Sequence, residues 1–428
     1  MKILIVCPRL CHGGAERVAV TLAKGFIQRG HQVVFLTDLF EEQTYQLDEG
    51  IILQNLVDTP HPKWKKWISA IKNVRRQIKK NRPNVIIGIM PLCSIVARVA
   101  VIGTGVPVIA TEHNSYERPH GVRFSHFEKV YKFYLTRLFP VVTVLTETDK
   151  QLLNNKRNVV VMPNPLVLEP IKTRNQKENV ILAAGRVDNW HVKGFDILLQ
   201  AWSKIISNEQ LEINNYDYSQ DGKPNHWWLK IAGVWRGEDT IPFLTGLIPD
   251  GEWVFNDNDK HSNTKNTEEK GIDTDKLDSQ KCGVWRSGKY RIEFLGFQKD
   301  MESLYKKSGI FVLSSRYEGF GLVLIEAMSQ GCACIACDYK GRQAEILSPS
   351  GDERRKTKDE KSGIEVTENG ILCEPDNVEA LAEAIKKMIE DDEYRENIRK
   401  NAIERSKYYA IEHTMERWEI LLNNIINQ

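Results

Sequence analysis

No stretch of the 428 residues reaches the roughly 18 consecutive apolar positions that a membrane-spanning helix requires. The opening MKILIVCPRL enters a β-rich run at once, with neither a basic leader nor a cleavage site. These absences predict a cytoplasmic protein, at most peripheral on the inner face of the cell membrane. The eight cysteines are scattered at 7, 11, 93, 282, 332, 334, 337 and 373, so no disulfide framework is implied. Only Cys332, Cys334 and Cys337 have ligand-like spacing. Their context, GCACIACD, reads as an apolar strand with 332 and 334 on one face and 337 on the other, which favours buried reduced thiols over a metal site. A Gly-x-Gly-x-x-Gly dinucleotide motif is missing, which leaves an oxidoreductase poorly supported. Basic stretches occur without any nucleic-acid recognition motif, and no nucleic-acid partner is expected.

What is present suits a globular chain of two domains, each long enough to bury a core. The net charge of +2 conceals an asymmetry: residues 1–170 hold 23 Lys/Arg against 13 Asp/Glu, and the remainder holds 36 against 44. A basic first half and an acidic second half either face different partners or reflect surface chance. Short β-rich runs (2–7, 32–37, 51–56, 84–89, 107–111, 141–146, 158–162) alternate with helical periods at 15–29, 64–80, 94–103 and 124–138. A second series follows, with strands at 179–185, 227–233, 290–296, 309–315 and 333–338. Its helices fall at 194–206, 299–307, 321–330, 377–390 and 392–406. Strand–helix alternation dictates right-handed crossovers, hence α/β architecture with doubly wound parallel sheets. The proline-rich PNPLVLEPIKTRNQKEN reads as a linker. The domains predicted are 1–165, a linker at 166–178, 179–408, and a C-terminal helix at 409–428 packing back on the first.

Two polar insertions interrupt the second domain, 250–289 and 348–363. Trp253-Val254-Phe255 and Val284-Trp285 bracket the first and suggest a protruding two-stranded arm. Asp257-x-Asp259 and Asp273-x-Asp275 imitate metal-binding pairs but sit in solvated, low-complexity sequence. In the first domain, 62–83 places Trp64, Trp67, Ile68, Ile71, Val74 and Ile78 on one helical face amid lysines and arginines. That face either covers the sheet or contacts an anionic membrane.

The chemistry-bearing residues follow strands. After GIFVLSS, the stretch RYEGFGLVLIEAM puts Glu318 before a Gly-rich turn and Glu326 inside the ensuing helix. Free amides and the positive helix end near Gly319–Gly321 suit an anion such as a diphosphate, and the two acids can grip opposite ends of an elongated ligand. After NVILAAG, the loop before Gly194 carries Arg186 and Lys193 at a carboxyl strand edge, where open α/β sheets bind ligands. Together they can balance charge growing on a departing diphosphate without a metal; alone, each also reads as a solvated loop cation. Gly13-Gly14 form a strand-to-helix turn, followed by Glu16, a helix cap or a group that polarises an acceptor. His113 follows strand 107–111 and either supports the fold or shares an acceptor proton. His12 and His191 carry weaker signals.

Glu318-x7-Glu326 with the upstream Gly185-Arg186…Lys193-Gly194 resembles the retaining GT-B glycosyltransferases often called family 4, or glycosyl transferases group 1. GGAERVAVTLAKGFIQRGHQV, VMPNPL and NGILCEPDNVEALAEAI extend the resemblance over almost the whole chain. It implies two Rossmann-like domains with a cleft between them. It further implies that Arg186 and Lys193 hold the donor diphosphate, Glu326 the ribose and Glu318 the sugar hydroxyls. Gly319, Phe320 and Gly321, with Leu322 opening the helix, would support sugar and phosphate. Gly14 would face the donor phosphates, and His113 would lie near the donor sugar. The implied reaction is transfer of a hexose, with retention and without a metal or other cofactor, from a nucleotide sugar. UDP is the first candidate nucleotide, with GDP-mannose next. The acceptor would be a saccharide or a lipid-linked saccharide, in bacterial surface polysaccharide synthesis such as capsule or lipopolysaccharide. The alternatives are a GT-B-like sugar-nucleotide 2-epimerase and a non-catalytic carbohydrate-binding protein. The insertions depart from the family pattern and bear on acceptor and partners.

Overall fold

In a computed structural model the described residues are all except 12, 61–62, 119–122, 154–157, 174, 209–226, 236–239, 249–251, 256–282, 288–289, 349–356, 360–361 and 428. The chain divides into two compact units, Met1–Val167 with Tyr409–Gln428, and Leu168–Tyr408.

The first unit is built on seven parallel strands: β1 (Lys2–Val6), β2 (Gln32–Thr37), β3 (Ile52–Asn55), β4 (Val85–Ile89), β5 (Val108–Thr111), β6 (Val141–Val144) and β7 (Val159–Val161). They run in the order β3-β2-β1-β4-β5-β6-β7. β1 and β4 are almost continuous apolar runs because a parallel sheet with helices on both faces buries both sides of each strand. The helix Ile411–Ile426 packs against the helix Gly14–Gln28. Trp418 meets Phe26 edge-on at 6.0 Å between ring centroids, and Glu419 lies 2.6 Å from His31 Nε2. The helix Lys63–Asn81 sits on the same sheet, with Trp67, Ile71, Val74 and Ile78 in or against the core. Ile68, assigned by periodicity to that apolar face, is exposed, and Asn73 and Gln77 are buried instead. The side chain of Trp64 lies outside the described residues. The predicted helix 94–103 begins earlier, at Met90, with proline in its first turn, a favourable place for a residue lacking an N–H. The predicted 124–138 divides into the helix His126–Phe133 and a 3₁₀ turn, Leu135–Leu138; a Ser125/Glu128 capping box fixes its start.

The second unit has ten strands: β8 (Glu178–Ala184), β9 (Trp228–Ala232), β10 (Glu252–Phe255), β11 (Gly283–Ser287), β12 (Tyr290–Gly296), β13 (Ser308–Leu313), β14 (Ala333–Cys337), β15 (Thr357–Asp359), β16 (Ile364–Val366) and β17 (Ile371–Cys373). Their order is β10-β11-β12-β9-β8-β13-β14-β17-β16-β15. The six central strands are parallel, and the two at each end are antiparallel. Trp253 does pair opposite Trp285, as the bracketing aromatics suggest, but β11 also pairs with β12. The expected two-stranded pairing is therefore present, and through β11 it is continuous with the edge of the main sheet. Asp257, Asp259, Asp273 and Asp275 lie outside the described residues. Cys332, Cys334 and Cys337 are free and fully buried in and beside β14, and burial pushes the Cys337 thiol up to about 12. Within the linker expectation, Ile171 N donates to Ser329 O and Gln330 donates to Glu169 O, so this stretch is bonded into the second unit.

Candidate active site

β8 and β13 are neighbours at the centre of the second sheet, with β9 and β14 on their far sides. Chain direction diverges there, so the loops leaving their carboxyl ends are not covered by a crossover helix, the situation that makes a binding crevice in open α/β sheets. One loop is Gly185–Gly194 and the other Ser314–Gly321, and they are bonded together. Arg316 N donates to Val192 O at 2.9 Å, and Ser314 Oγ donates to Lys193 O at 2.9 Å. Gly194 sits at φ +65°, and a Cβ there would lie 1.9 Å from Ser314 O. Only glycine allows both this backbone conformation and this approach.

The approach delivers Lys193 to Glu318. Nζ donates to Oε1 at 2.5 Å, Ser315 Oγ donates to the same oxygen at 2.9 Å, and both charged side chains remain partly exposed. With two donors on Oε1, Oε2 makes no hydrogen bond among the described residues. Lys193 is thus held at the strand ends by a carboxylate that a more highly charged anion can replace. Gly321, at φ +95°, caps the helix Leu322–Ser329. Leu324 N donates to the Gly321 carbonyl at 2.9 Å, whereas the first-turn amides of Leu322 and Val323 have no intrahelical acceptor, so those two and the helix dipole offer an anion a second set of positive groups. Phe320 is buried just before them.

The remaining expected residues of this unit are placed differently. Glu326 is buried on the second turn of its helix and accepts from Tyr305 Oη at 3.3 Å. Arg186 is exposed and forms a two-pronged pair with its near neighbour Asp188, at 3.2 and 3.0 Å, which raises its already high pKa. It is positioned at the mouth of the same loop but does not touch Glu318. Sequence reasoning missed Arg316, which braces the two loops. Its guanidinium pairs with both oxygens of Asp196 at 2.7 and 2.8 Å, donates to His191 O at 2.5 Å and reaches Asp376. Arg316 and Asp196 stand three and two residues from the loop glycines Gly319 and Gly194. Their separation of 120 residues gives no sign that they pair.

His113 and Gly14 belong to the first unit. Gly14 is the first residue of its helix, exposed, after the N-cap Gly13. Glu16 is buried and folds back toward that cap: a Cβ on Gly13 would meet its Oε2 at 1.8 Å. His12 lies outside the described residues. His113 follows β5, with Nε2 3.0 Å from Thr111 Oγ1, and the Thr111 hydroxyl donates to Gly88 O at 3.1 Å. Because that hydroxyl has one hydrogen, Nε2–H is the donor to Thr111 and Nδ1 carries the lone pair. Burial pushes the imidazole down to about 4, against the smaller raising effect of the Asn164 side chain. His113 is therefore a neutral hydrogen-bonding group rather than a strong base near neutral pH. The loop bearing it is held from below by Lys132, which donates to Asn114 O and Ser115 O at 3.1 and 2.9 Å and pairs with Glu112 at 3.2 Å.

Known proteins share this organisation. Residues 284–405 match the family described as Glycosyl transferases group 1, and residues 12–169 match Glycosyltransferase Family 4. An uncharacterized glycosyltransferase of Haemophilus influenzae is 25% identical over 414 residues, covering 96% of each chain. A Campylobacter jejuni α-1,4-N-acetyl-D-galactosaminyltransferase, whose name gives a GalNAc-containing diphospho-undecaprenol as its substrate, is 23% identical, covering 100% of this chain and 99% of its own. Among solved structures, HepE of Anabaena in complex with UDP-glucose superposes with a TM-score of 0.68 at 17% identity, over 99% of this chain and 100% of HepE. At that identity the likeness is one of fold.

Proposed function

Because the chain belongs to the group 1 and family 4 type of GT-B glycosyltransferases, we propose that it transfers a hexose, with retention, from a UDP-linked donor to a saccharide or lipid-linked saccharide acceptor in surface glycan synthesis. The observation that carries the reading is the meeting of Lys193 and Glu318 at the carboxyl ends of β8 and β13, beside the capped start of the helix Leu322–Ser329. A nucleotide diphosphate brought there displaces the weaker carboxylate partner from Lys193 and lies against the helix amides. Lys193, with Arg186 swinging from Asp188, neutralises the charge that builds as the diphosphate leaves. Glu318, released from Lys193, accepts hydroxyls of the sugar, and Glu326 accepts from the ribose. Positive side chains and amides supply the stabilisation a metal otherwise gives, so the reaction runs without one. No covalent nucleophile is assigned: the acceptor hydroxyl enters on the face from which the diphosphate departs and passes its proton to an oxygen of that leaving group. His113 stays neutral and acts through hydrogen bonds.

The choice of UDP is supported by HepE, whose structures hold UDP and UDP-glucose. A lipid-linked acceptor is supported by the diphospho-undecaprenol substrate named for the Campylobacter relative, and a polysaccharide product by an amylovoran biosynthesis glycosyltransferase of Erwinia amylovora, 24% identical over 99% of this chain. The test is a screen of UDP-, GDP- and ADP-sugars for slow hydrolysis without acceptor, run with and without EDTA. Release of UDP from one sugar, unchanged by EDTA, is the expected result. Silence across all three nucleotides, or complete loss of activity in EDTA, defeats the proposal.

A further inference from the structure

Large apolar side chains are exposed together on one side of the first unit. On the helix His126–Phe133 and the turn after it, Phe127, Tyr134 and Leu138 are 39%, 66% and 54% exposed. Phe127 lies in the first turn of the helix, and Tyr134 is the residue that ends it, at φ −120° and ψ −51°, leading into the turn that carries Leu138. Arg98 on the helix Met90–Ala100 donates to Leu138 O at 2.7 Å, joining to this face Val99 and Ile102, 41% and 61% exposed. Burial of the opposite side does not explain these residues: the helix anchors itself through Tyr131 and Lys132, both fully buried. An aromatic–aliphatic face of this kind on a soluble surface marks a contact.

The charge around it identifies the contact. Between Asp58 and Glu112 the chain has no acidic residue and ten Lys/Arg. Within that stretch Arg75 donates to Ala100 O and Ile102 O at 2.9 and 2.8 Å, placing a guanidinium at the edge of the exposed apolar residues. Arg123, Lys129 and Arg137, beside Phe127 and Leu138 in sequence, are exposed. The one acid between Arg123 and Leu138 in the sequence, Glu128, is paired with Arg118 at 2.6 Å. Cations framing aromatic and aliphatic side chains match a bilayer, whose anionic headgroups lie over an apolar interior. The helix Lys63–Asn81, the more basic amphipathic segment, commits Trp67, Ile71, Val74 and Ile78 to the core, which leaves Ile68 as its exposed large apolar side chain among the described residues.

We propose that Phe127, Tyr134, Leu138, Val99 and Ile102, framed by Arg75, Arg98 and Arg137, form a docking face on which the first unit sits on an anionic lipid bilayer. The inference stands on this surface alone and does not depend on the donor or the acceptor.

The test is co-sedimentation of the full chain with vesicles of phosphatidylcholine, alone or mixed with phosphatidylglycerol, at low and high salt. The expected result is binding to the mixed vesicles only, released by salt. The variant Phe127→Ser/Tyr134→Ser/Leu138→Ser should weaken that binding at least about tenfold while hydrolysing donor without acceptor at the parent rate. Tyr134→Ala alone, at a side chain 66% exposed, should weaken binding severalfold and keeps the test readable should the triple variant fold poorly. Equal binding to neutral vesicles, no binding to either kind, or parental binding by Tyr134→Ala and the triple variant overturns the proposal. Since vesicle binding needs no sugar nucleotide, a failure here is distinct from a failure in the donor screen.

Discussion

Lys193 and Glu318 form the side-chain pair on which the proposed donor chemistry turns. Lys193→Ala removes the cation nearest the expected leaving group and should lower donor turnover about a hundredfold or more. The lost ion pair is partly exposed, so unfolding free energy should change by only about 1 kcal/mol. Turnover within twofold of the parent would take Lys193 out of the site. His113 makes a different prediction. Its folded pKa of about 4 lies below the ordinary 6.5, so between these values the unfolded chain binds more protons than the folded one. The stability His113 contributes is therefore complete above about pH 6.5 and is lost as pH falls toward 4, by about 3 kcal/mol in all. Urea unfolding at pH 7 and pH 4.5 should show a gap that narrows in His113→Asn; an unchanged gap assigns the pH dependence to other groups.

At the scale of elements, strand positions were legible because each parallel strand is an apolar run set between helical periods. The ends of β1, β4, β8 and β14 fall within two residues of the expected bounds. The three-residue strands β16 and β17 were not, since three positions cannot display an alternation and neither, unlike β7 in NVVVM, was marked by a β-branched run. Nor was the bracing of the loops after β8 and β13 by Arg316 and Asp196, which depends on those strands being sheet neighbours. Gly194 tests how tightly those loops are joined. Gly194→Ala places a Cβ against Ser314 O at a positive φ and should cost about 2–4 kcal/mol. It should also slow donor hydrolysis, because Lys193 is displaced from Glu318. Denaturation and hydrolysis measured on one preparation should therefore fall together, and an intact rate in a destabilised protein would show that the loop contact is only structural.

At the scale of the whole molecule, the last helix closes the first unit. Trp418 is 2% exposed against Phe26, and Trp418→Ala should destabilise that unit by about 3–5 kcal/mol. The UDP binding proposed for the second unit, followed by calorimetry below the unfolding transition, should stay the same. A parallel loss of affinity would mean that the nucleotide is not held by the second unit alone.

The sequence by itself determined the α/β class, most strand and helix positions and the residue types at the carboxyl edges, because backbone period and loop chemistry are local properties. The tertiary structure alone decided which distant charges meet. Lys193 found Glu318, Arg316 found Asp196, and Arg186 turned to Asp188, outcomes set by strand order and by glycine backbones close enough to touch. It also decided which apolar residues the core would take. A helical period identifies an apolar face, but only packing against a particular sheet determines whether that face is buried, as at Val74, or left to the surface, as at Ile68 and Tyr134.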